Sequence, residues 1–477
     1  MLRKFIADIA FIQMLNLLVK PVWILIIDRA VQNQLSQQAY GEYFALFNFS
    51  LLFFIVLDLG ITSFNATQIS KRPKKLKQMF GNLFGLKLLL TLLYLFLVIS
   101  FGSVMGYNSS AFGLLLLVSV VQILTSFNQY FRSSISAFQM FKSDGVFMVL
   151  DRLIIIGLCA VLLWGGIAGW SMTIERFIWA QIIGLFTVSL LLLLFIFIKV
   201  ERVRLSFNLK KVFPLLKKTW PYGLLITLMG LYNYLDGVMI EQLSLGRAED
   251  AAVYAMGYRL YFALFMFAQV FSTVLLAMYG KHEKSRASIR LLSSFSAKLL
   301  LIVSVSIALF TWVYQTEIIQ ILYPEKFSVE ASSALSLLMI GFIGSSLILV
   351  YGTLLTSKEK LKQLNWAAAI TLVLNVSLNY TLIPKHGPAG AAIATMCSQL
   401  VFGICCWLIS YKLLGFITQT KNVIILASGM IILFLGIVVS KQYIENTTVH
   451  LVMITLTILI TAYLYKLFDA KSLNSGS

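Results

Sequence analysis

WAAAITLVLNVSLNYTLIPKHGPAGAAIATMCSQLVFGICCWLISY, residues 366–411, decides how this chain folds. Two apolar runs of membrane-crossing length flank a short break at Pro384-Lys385-His386-Gly387. A bilayer core of about 30 Å takes roughly 20 helical residues per crossing. Lipid offers no partner for backbone N–H and C=O groups, so each run has to be a helix. The pattern continues outward in both directions. About fourteen such runs fill the 477 residues, near 6–27, 39–62, 80–101, 111–131, 146–166, 176–198, 219–240, 252–279, 294–314, 333–356, 362–383, 388–411, 422–440 and 449–468. Hydrophobic residues make up 59% and charged residues 12%, about half the charged share of soluble domains. The expected fold is an all-α polytopic membrane protein of about 14 transmembrane helices.

The net charge of +19 would suit a nucleic-acid binder, but its placement argues otherwise. Basic clusters sit at Lys71-Arg72, Lys74-Lys75 and Lys77, at Arg202 to Lys218, and at Lys281 to Arg290, all in even-numbered loops. That is the positive-inside pattern, with both termini in the cytoplasm. The partners it implies are membrane lipids, with no nucleic acid. Met1-Leu2-Arg3-Lys4 resembles a signal-peptide start, yet no small-residue cleavage pattern follows, so an uncleaved first helix is expected. Cys159, Cys397, Cys405 and Cys406 all fall inside spans without metal-site spacing and read as packing residues. The outer loops are too short for a catalytic domain, and no Walker sequence or catalytic triad stands out, so an enzyme is not expected. No cofactor is implied by these residues.

The two halves echo each other at a spacing of a little over 200 residues. Asp28 followed by Tyr40-Gly41-Glu42-Tyr43-Phe44-Ala45-Leu46 resembles Asp236 followed by Val253-Tyr254-Ala255-Met256-Gly257-Tyr258-Arg259-Leu260. Gly166-Ile167-Ala168-Gly169 resembles Gly387-Pro388-Ala389-Gly390. Six spans per half keeps both halves in one orientation, a plan that suits two bundles around a pathway. The expected organisation is an N-terminal six-helix lobe at 1–200, a basic cytoplasmic linker at 201–218, a C-terminal six-helix lobe at 219–412, and two additional helices with a cytoplasmic tail at 413–477.

Charged residues at membrane depth are costly and are usually functional or paired. Gln13, Asn16 and Lys20 share one face of span one, and Pro21 should kink that helix. The stripe either lines a cavity or lets Lys20 snorkel to the interface. Arg259 lies about two turns into span eight among Tyr254, Tyr258 and Tyr261. Arginine carries a planar donor fork suited to phosphate, and tyrosines offer faces for sugar rings. An ion pair with Asp236 is the rival reading, and the two are compatible. Span four carries Ser119, Gln122, Ser126, Gln129 and Ser133 at helical spacing, which favours a wet path. Asn375 and Asn379 in span eleven favour interhelical packing. Asp151 and Arg152 sit near an interface and suggest a structural ion pair or a topology role, and Arg29 caps the outer end of span one.

Asp28-Arg29, Tyr40-Gly41-Glu42-Tyr43, Leu57-Asp58-Leu59-Gly60-Ile61 and, above all, Ile383-Pro384-Lys385-His386-Gly387-Pro388-Ala389-Gly390-Ala391-Ala392-Ile393-Ala394-Thr395 resemble bacterial polysaccharide repeat-unit flippases. After Arg29 the chain departs from that pattern, with Val31-Gln32-Asn33-Gln34 in place of the usual Leu-Gly pair. The resemblance implies the multidrug/oligosaccharidyl-lipid/polysaccharide exporter superfamily and its O-antigen or Wzx-like branch. It implies movement of an undecaprenyl-diphosphate-linked oligosaccharide across the bacterial inner membrane, driven by a proton or sodium gradient with no other cofactor. It also implies a polysaccharide polymerase and a chain-length regulator as partners. On this reading Lys20, Arg259 and Arg29 form a cationic cavity, with Asn16, Gln122, Ser126, Gln129, Tyr254 and Tyr258 as polar and aromatic lining. Asp236 is the ion-coupling candidate. A multidrug exporter and a peptidoglycan-precursor flippase of the same superfamily are the rival functions.

Overall fold

The structure is a computed structural model that describes residues 18–19, 21–62, 76–137, 140–166, 171–199, 230–231, 234–281 and 285–414. Asn16, Lys20, the 201–218 linker and the two expected C-terminal spans lie outside the described residues. Every regular element among the described residues is helical. A π-helical turn, Trp23–Asp28, leads into α1 (Arg29–Gln34), α2 (Gln37–Leu52) and α3 (Phe54–Asp58). Then come α4 (Leu76–Val104), α5 (Ser109–Ala137), α6 (Phe141–Trp164) and α7 (Ile174–Lys199). The second half holds α8 (Arg247–Lys281), α9 (Arg286–Leu322) and α10 (Val329–Leu347). A second π-helical turn, Ile348–Gly352, is followed by α11 (Thr353–Ser357) and α12 (Leu361–Leu414).

Eight of these stretches are long and apolar enough to cross a membrane. The chain is a multi-pass helical membrane protein, and its burial pattern is inverted relative to a soluble one. Leu92, Phe96, Leu194, Trp366 and Val373 are each more than half exposed, whereas Lys87, Asn375, Asn379 and Gln399 are at most 1% exposed. Lipid is as apolar as leucine, so polar groups turn inward to find partners.

The stretch that opened the reading, inside α12, doubles back on itself. A straight helix would place Asn375 and Thr395 about 30 Å apart at 1.5 Å per residue. Instead the Asn375 amide donates to Thr395 Oγ1 at 3.5 Å. The reversal sits at Gly387, with φ 50° and ψ −128°, between Pro384 and Pro388. A side chain is strained at that φ, and each proline withholds a donor that a continuing helix would need. The two spans expected at 362–383 and 388–411 are therefore an antiparallel hairpin. Pro21 acts similarly at the other end of the chain: the helix runs as a π turn immediately after it.

Two compact units divide the chain, residues 1–242 with 246–255, and residues 243–245 with 256–477. In the first, Phe80, Leu83, Tyr130, Phe131, Val188 and Leu192 form an apolar core of α4, α5 and α7. Gly184 lets α7 press against α6, since a Cβ there would lie 2.5 Å from the Ile155 side chain. In the second, α10 and α12 touch backbone to backbone: a Cβ on Gly403 would stand 2.5 Å from the Gly344 carbonyl oxygen. Serines cap the polar ends. Ser36 Oγ accepts from Ala39 N at 3.2 Å, and Ser328 Oγ from Ala331 N at 3.0 Å.

Candidate functional site

Asp236 and Tyr254, both in the first unit, are each 1% exposed. The Tyr254 hydroxyl donates to Asp236 Oδ2 at 2.8 Å. The start of α8 is fixed by close packing on α2. A Cβ on Gly41 would sit 1.6 Å from the Ala248 carbonyl oxygen, so only glycine allows the approach. Gln32 Nε2 donates to Ala252 O at 2.9 Å, and the Phe44 ring lies 6.5 Å from that of Tyr254. An acid of the first half has a similar partner: Tyr40 donates to Asp28 Oδ1 at 3.1 Å, and both are buried. A phenol donates to a carboxylate and accepts from a carboxylic acid, so each pair suits both protonation states.

A second polar centre lies in the same unit. Lys87, 1% exposed, sits with its Nζ 3.3 Å from Asp58 Oδ1 and 3.0 Å from Ser126 O, and it also bonds Ser126 Oγ. The Tyr130 ring centroid lies 5.9 Å from the ammonium. Asp58 in turn accepts from the Thr62 amide at 3.2 Å and from the Thr62 hydroxyl. Between them Leu59 and Gly60 take φ of 42° and 82°. The carboxylate therefore holds the unwound end of the second span, and Lys87 ties that end to α4 and α5.

Span four divides in a way that spacing alone did not reveal. Ser119, Gln122, Ser126 and Ser133 are buried, and Gln129 is exposed. Asn128, one residue away, is buried instead, donating to Leu185 O at 3.1 Å and accepting from Ser189 Oγ at 2.6 Å. Gln122 Nε2 is buried without a hydrogen-bond partner among the described residues. Arg29 opens α1 half-buried. Asp151 and Arg152 do not pair with each other through their side chains. The Arg152 guanidinium lies 5.4 Å from the Trp23 ring, which stacks on Phe177.

In the second unit Tyr258 is 6% exposed and stacks on Phe262 at 6.0 Å, and Arg259 follows it, partly buried. The Tyr261 hydroxyl receives a bond from Gln399 Nε2 at 2.6 Å and lies 3.0 Å from Ser345 Oγ. The first unit repeats this contact, with Gln181 Nε2 donating to the Tyr43 hydroxyl at 3.2 Å. Each pair spans 138 residues, and each member of one lies 218 residues from its counterpart. This aligns Tyr43-Phe44-Ala45-Leu46-Phe47 with the identical Tyr261-Phe262-Ala263-Leu264-Phe265. Gly166 and Gly387, matched in the sequence, both take positive φ, 62° and 50°. Of the residues expected at the site, the structure joins Tyr254 to Asp236 and sets Gln122 and Ser126 on one helix. Gln181, Gln399, Lys87 and Asp58 are the polar residues that the sequence reading did not place at a site.

Outside the spans, Glu241 Oε2 accepts from Tyr107 at 3.3 Å and from Gln242 Nε2 at 2.8 Å. Burial raises the Glu241 carboxyl above its ordinary value, against the opposing effect of those two bonds and of Arg247. Burial, and then the neighbouring Glu241 charge, push the Tyr107 phenol up as well.

Residues 4–281 match the family described as "Polysaccharide biosynthesis protein", and residues 221–381 match the family described as "MatE". No curated protein matches the chain. Among solved structures, a lipid II flippase MurJ in an inward closed conformation is similar with a TM-score of 0.72 at 16% identity, covering 98% of this chain and 99% of that one. An inward-facing multidrug resistance MATE family transporter is similar with a TM-score of 0.65 at 16% identity, covering 84% and 98%. A MOP superfamily transporter from Pyrococcus furiosus is similar with a TM-score of 0.60 at 17% identity, covering 86% and 96%. The first family match spans more than half of the chain, and the chain belongs to the polysaccharide biosynthesis protein family of the MOP superfamily, a family of membrane transporters and not of enzymes.

Proposed function

We propose that this protein is a flippase that carries an undecaprenyl-diphosphate-linked oligosaccharide repeat unit across the bacterial inner membrane for O-antigen or capsule synthesis. The observation that carries the reading is the end-to-end similarity to a lipid II flippase within a polysaccharide biosynthesis family. The drug-transporter structures leave 14–16% of this chain uncovered although 96–98% of their own length is used. That shortfall is the size of residues 413–477, which supports two pseudo-symmetric six-helix bundles, at 1–200 and 219–412, with two added helices. On this reading both termini are cytoplasmic, and the basic 201–218 segment links the bundles. Transport proceeds by alternating access and draws on an ion gradient.

Lys20, Arg29 and Arg259 take the diphosphate, because fixed cations replace the hydration of a group that cannot enter lipid uncompensated. Asn16, Gln122, Ser126, Gln129, Tyr254 and Tyr258 supply hydrogen bonds and ring faces for sugars. Asp236, held by Tyr254, is the coupling acid. A polymerase consumes the product, and a chain-length regulator is its further partner. The MatE match favours one rival, export of organic cations.

Deletion in the host separates these. Loss of surface glycan, with repeat units retained facing the cytoplasm, is expected. Normal glycan with raised sensitivity to cationic drugs would overturn the flippase in favour of the rival. Arg259→Ala is expected to abolish export at unchanged protein level, and unchanged export removes Arg259 from the site.

A further inference from the structure

A cavity of about 320 Å³ lies at one end of the second unit, lined by Arg286, Lys358, Lys360 and Ser410 with Leu354, Leu355 and Leu413. That volume falls at the lower end of ligand pockets, about 300–1000 Å³. Three cations face one small space, and among the described residues no acidic side chain lines it. The local backbone explains their convergence. α11 ends at Lys358, whose N–H bonds Leu354 O at 3.0 Å, and Glu359 then turns through a φ of 54°. Lys360 N closes the turn on Leu355 O at 2.9 Å, so both lysines border the same hollow while Glu359 stands exposed. Arg286, the first residue of α9, crosses to the far end of α12, where it donates to Leu413 O at 3.2 Å.

Ser410 supplies an independent sign of a ligand. It is fully buried, and its hydroxyl has no hydrogen-bond partner among the described residues. A buried unpaired hydroxyl is costly, and a ligand oxygen in the cavity would satisfy it. Three cations and a hydroxyl make an acceptor-rich anion such as a phosphate the matching chemistry. The outer surface of α12 names the rest of the molecule. Ile404, Leu408 and Tyr411 are each 40% or more exposed and follow one another at helical spacing toward the cavity end. An acyl chain can lie along that stripe, and a free phosphate has no use for it.

We propose that this cavity is a binding site for the phosphate headgroup of an anionic phospholipid, with an acyl chain against α12. Its loops are among those that the positive-inside pattern assigns to the cytoplasm, so the site draws from the inner leaflet. Its lining residues do not include Lys20, Arg29 or Arg259, and it stands whether or not the cargo proposed above is right.

The test uses full-length protein in a neutral detergent, with thermal unfolding followed as lipid is added. Phosphatidylglycerol is expected to stabilise the wild type in a saturable way, and phosphatidylcholine is not. The variant Arg286→Gln/Lys358→Gln/Lys360→Gln is expected to need at least tenfold more phosphatidylglycerol, and the equally discharged control Arg176→Gln/Lys326→Gln/Lys385→Gln less than twofold more. Ser410→Ala guards against a misfolded triple variant. It is expected to unfold no earlier than wild type without lipid, yet to need about threefold more lipid. Equal lipid requirement in the cavity triple and its control would overturn the site. Full stabilisation by inorganic phosphate alone would overturn the lipid assignment.

Discussion

Removing the Lys87 ammonium tests how the second span is held. At 3.3 Å from Asp58 Oδ1, a unit-charge pair is worth about 5 kcal/mol at an effective dielectric constant of about 20. Desolvation takes back several kcal/mol per ion, so the pair as a whole adds little net stability. Breaking it from one side is different, because a buried Lys87 or a partly buried Asp58 is left without its partner. Lys87→Met and Asp58→Asn are each expected to cost about 3 kcal/mol, the low end for severed buried pairs, since Asp58 keeps its Thr62 bonds and Lys87 its Ser126 bonds. The double variant removes both charges and is expected to cost no more than about 4 kcal/mol, a coupling of about 2 kcal/mol. Unfolding by titrated denaturing detergent, read by tryptophan fluorescence, gives all four values under one condition. Additive losses, with coupling below about 0.5 kcal/mol, would refute the argument that Lys87 and Asp58 act as one unit.

Two further outcomes follow from hydrogen bonds. Tyr261→Phe strips the Gln399 amide of its donor bond at a position 1% exposed, where Gln399 Oε1 already has no partner among the described residues. It is expected to cost about 1–3 kcal/mol, and more than Gln399→Leu, which removes the amide altogether; the reverse order in the same unfolding assay would contradict this. Glu241 sits with its pKa raised by burial, so its charged form is the disfavoured one in the folded state, and the stability it confers is lost as pH rises through that raised value. Glu241→Gln is expected to raise the melting temperature relative to wild type at pH 8 and to leave it unchanged at pH 4, and a gain at pH 4 alone would reverse the sign.

The spans and their breaks were legible because they rest on local chemistry. Pro21 announced the π turn at Trp23–Asp28, and Pro384 to Pro388 announced the hairpin. Pairings between helices were not legible. Asp58 and Lys87 belong to different spans, and nothing local joins residues 29 apart across a loop. In span four the spacing found a polar stripe but not its exact edge. A step of one residue turns about 100° around a helix, which is what separates buried Asn128 from exposed Gln129. Asp28 with Tyr40 and Asp236 with Tyr254 each form a tyrosine–carboxylate bond, but in the register set by the glutamines Tyr40 falls opposite Tyr258, so the string matched from Val253 to Leu260 stood about one helical turn out of place. The repeat register also needed coordinates, since the Tyr43 and Tyr261 strings become equivalent through the glutamines that hold them.

Those two glutamines bear on how such a chain arises. A short string of identical residues can recur by accident in an apolar alphabet. The same donor reaching the same hydroxyl across the same length of intervening chain is a much rarer coincidence. An ancestral segment that already closed on itself through this amide, then doubled, accounts for both copies without further assumption. Divergence afterwards was free to rewrite the walls, turning one half toward Lys87 and Asp58 and the other toward Asn375 and Asn379, as long as the clasp in each half stayed shut.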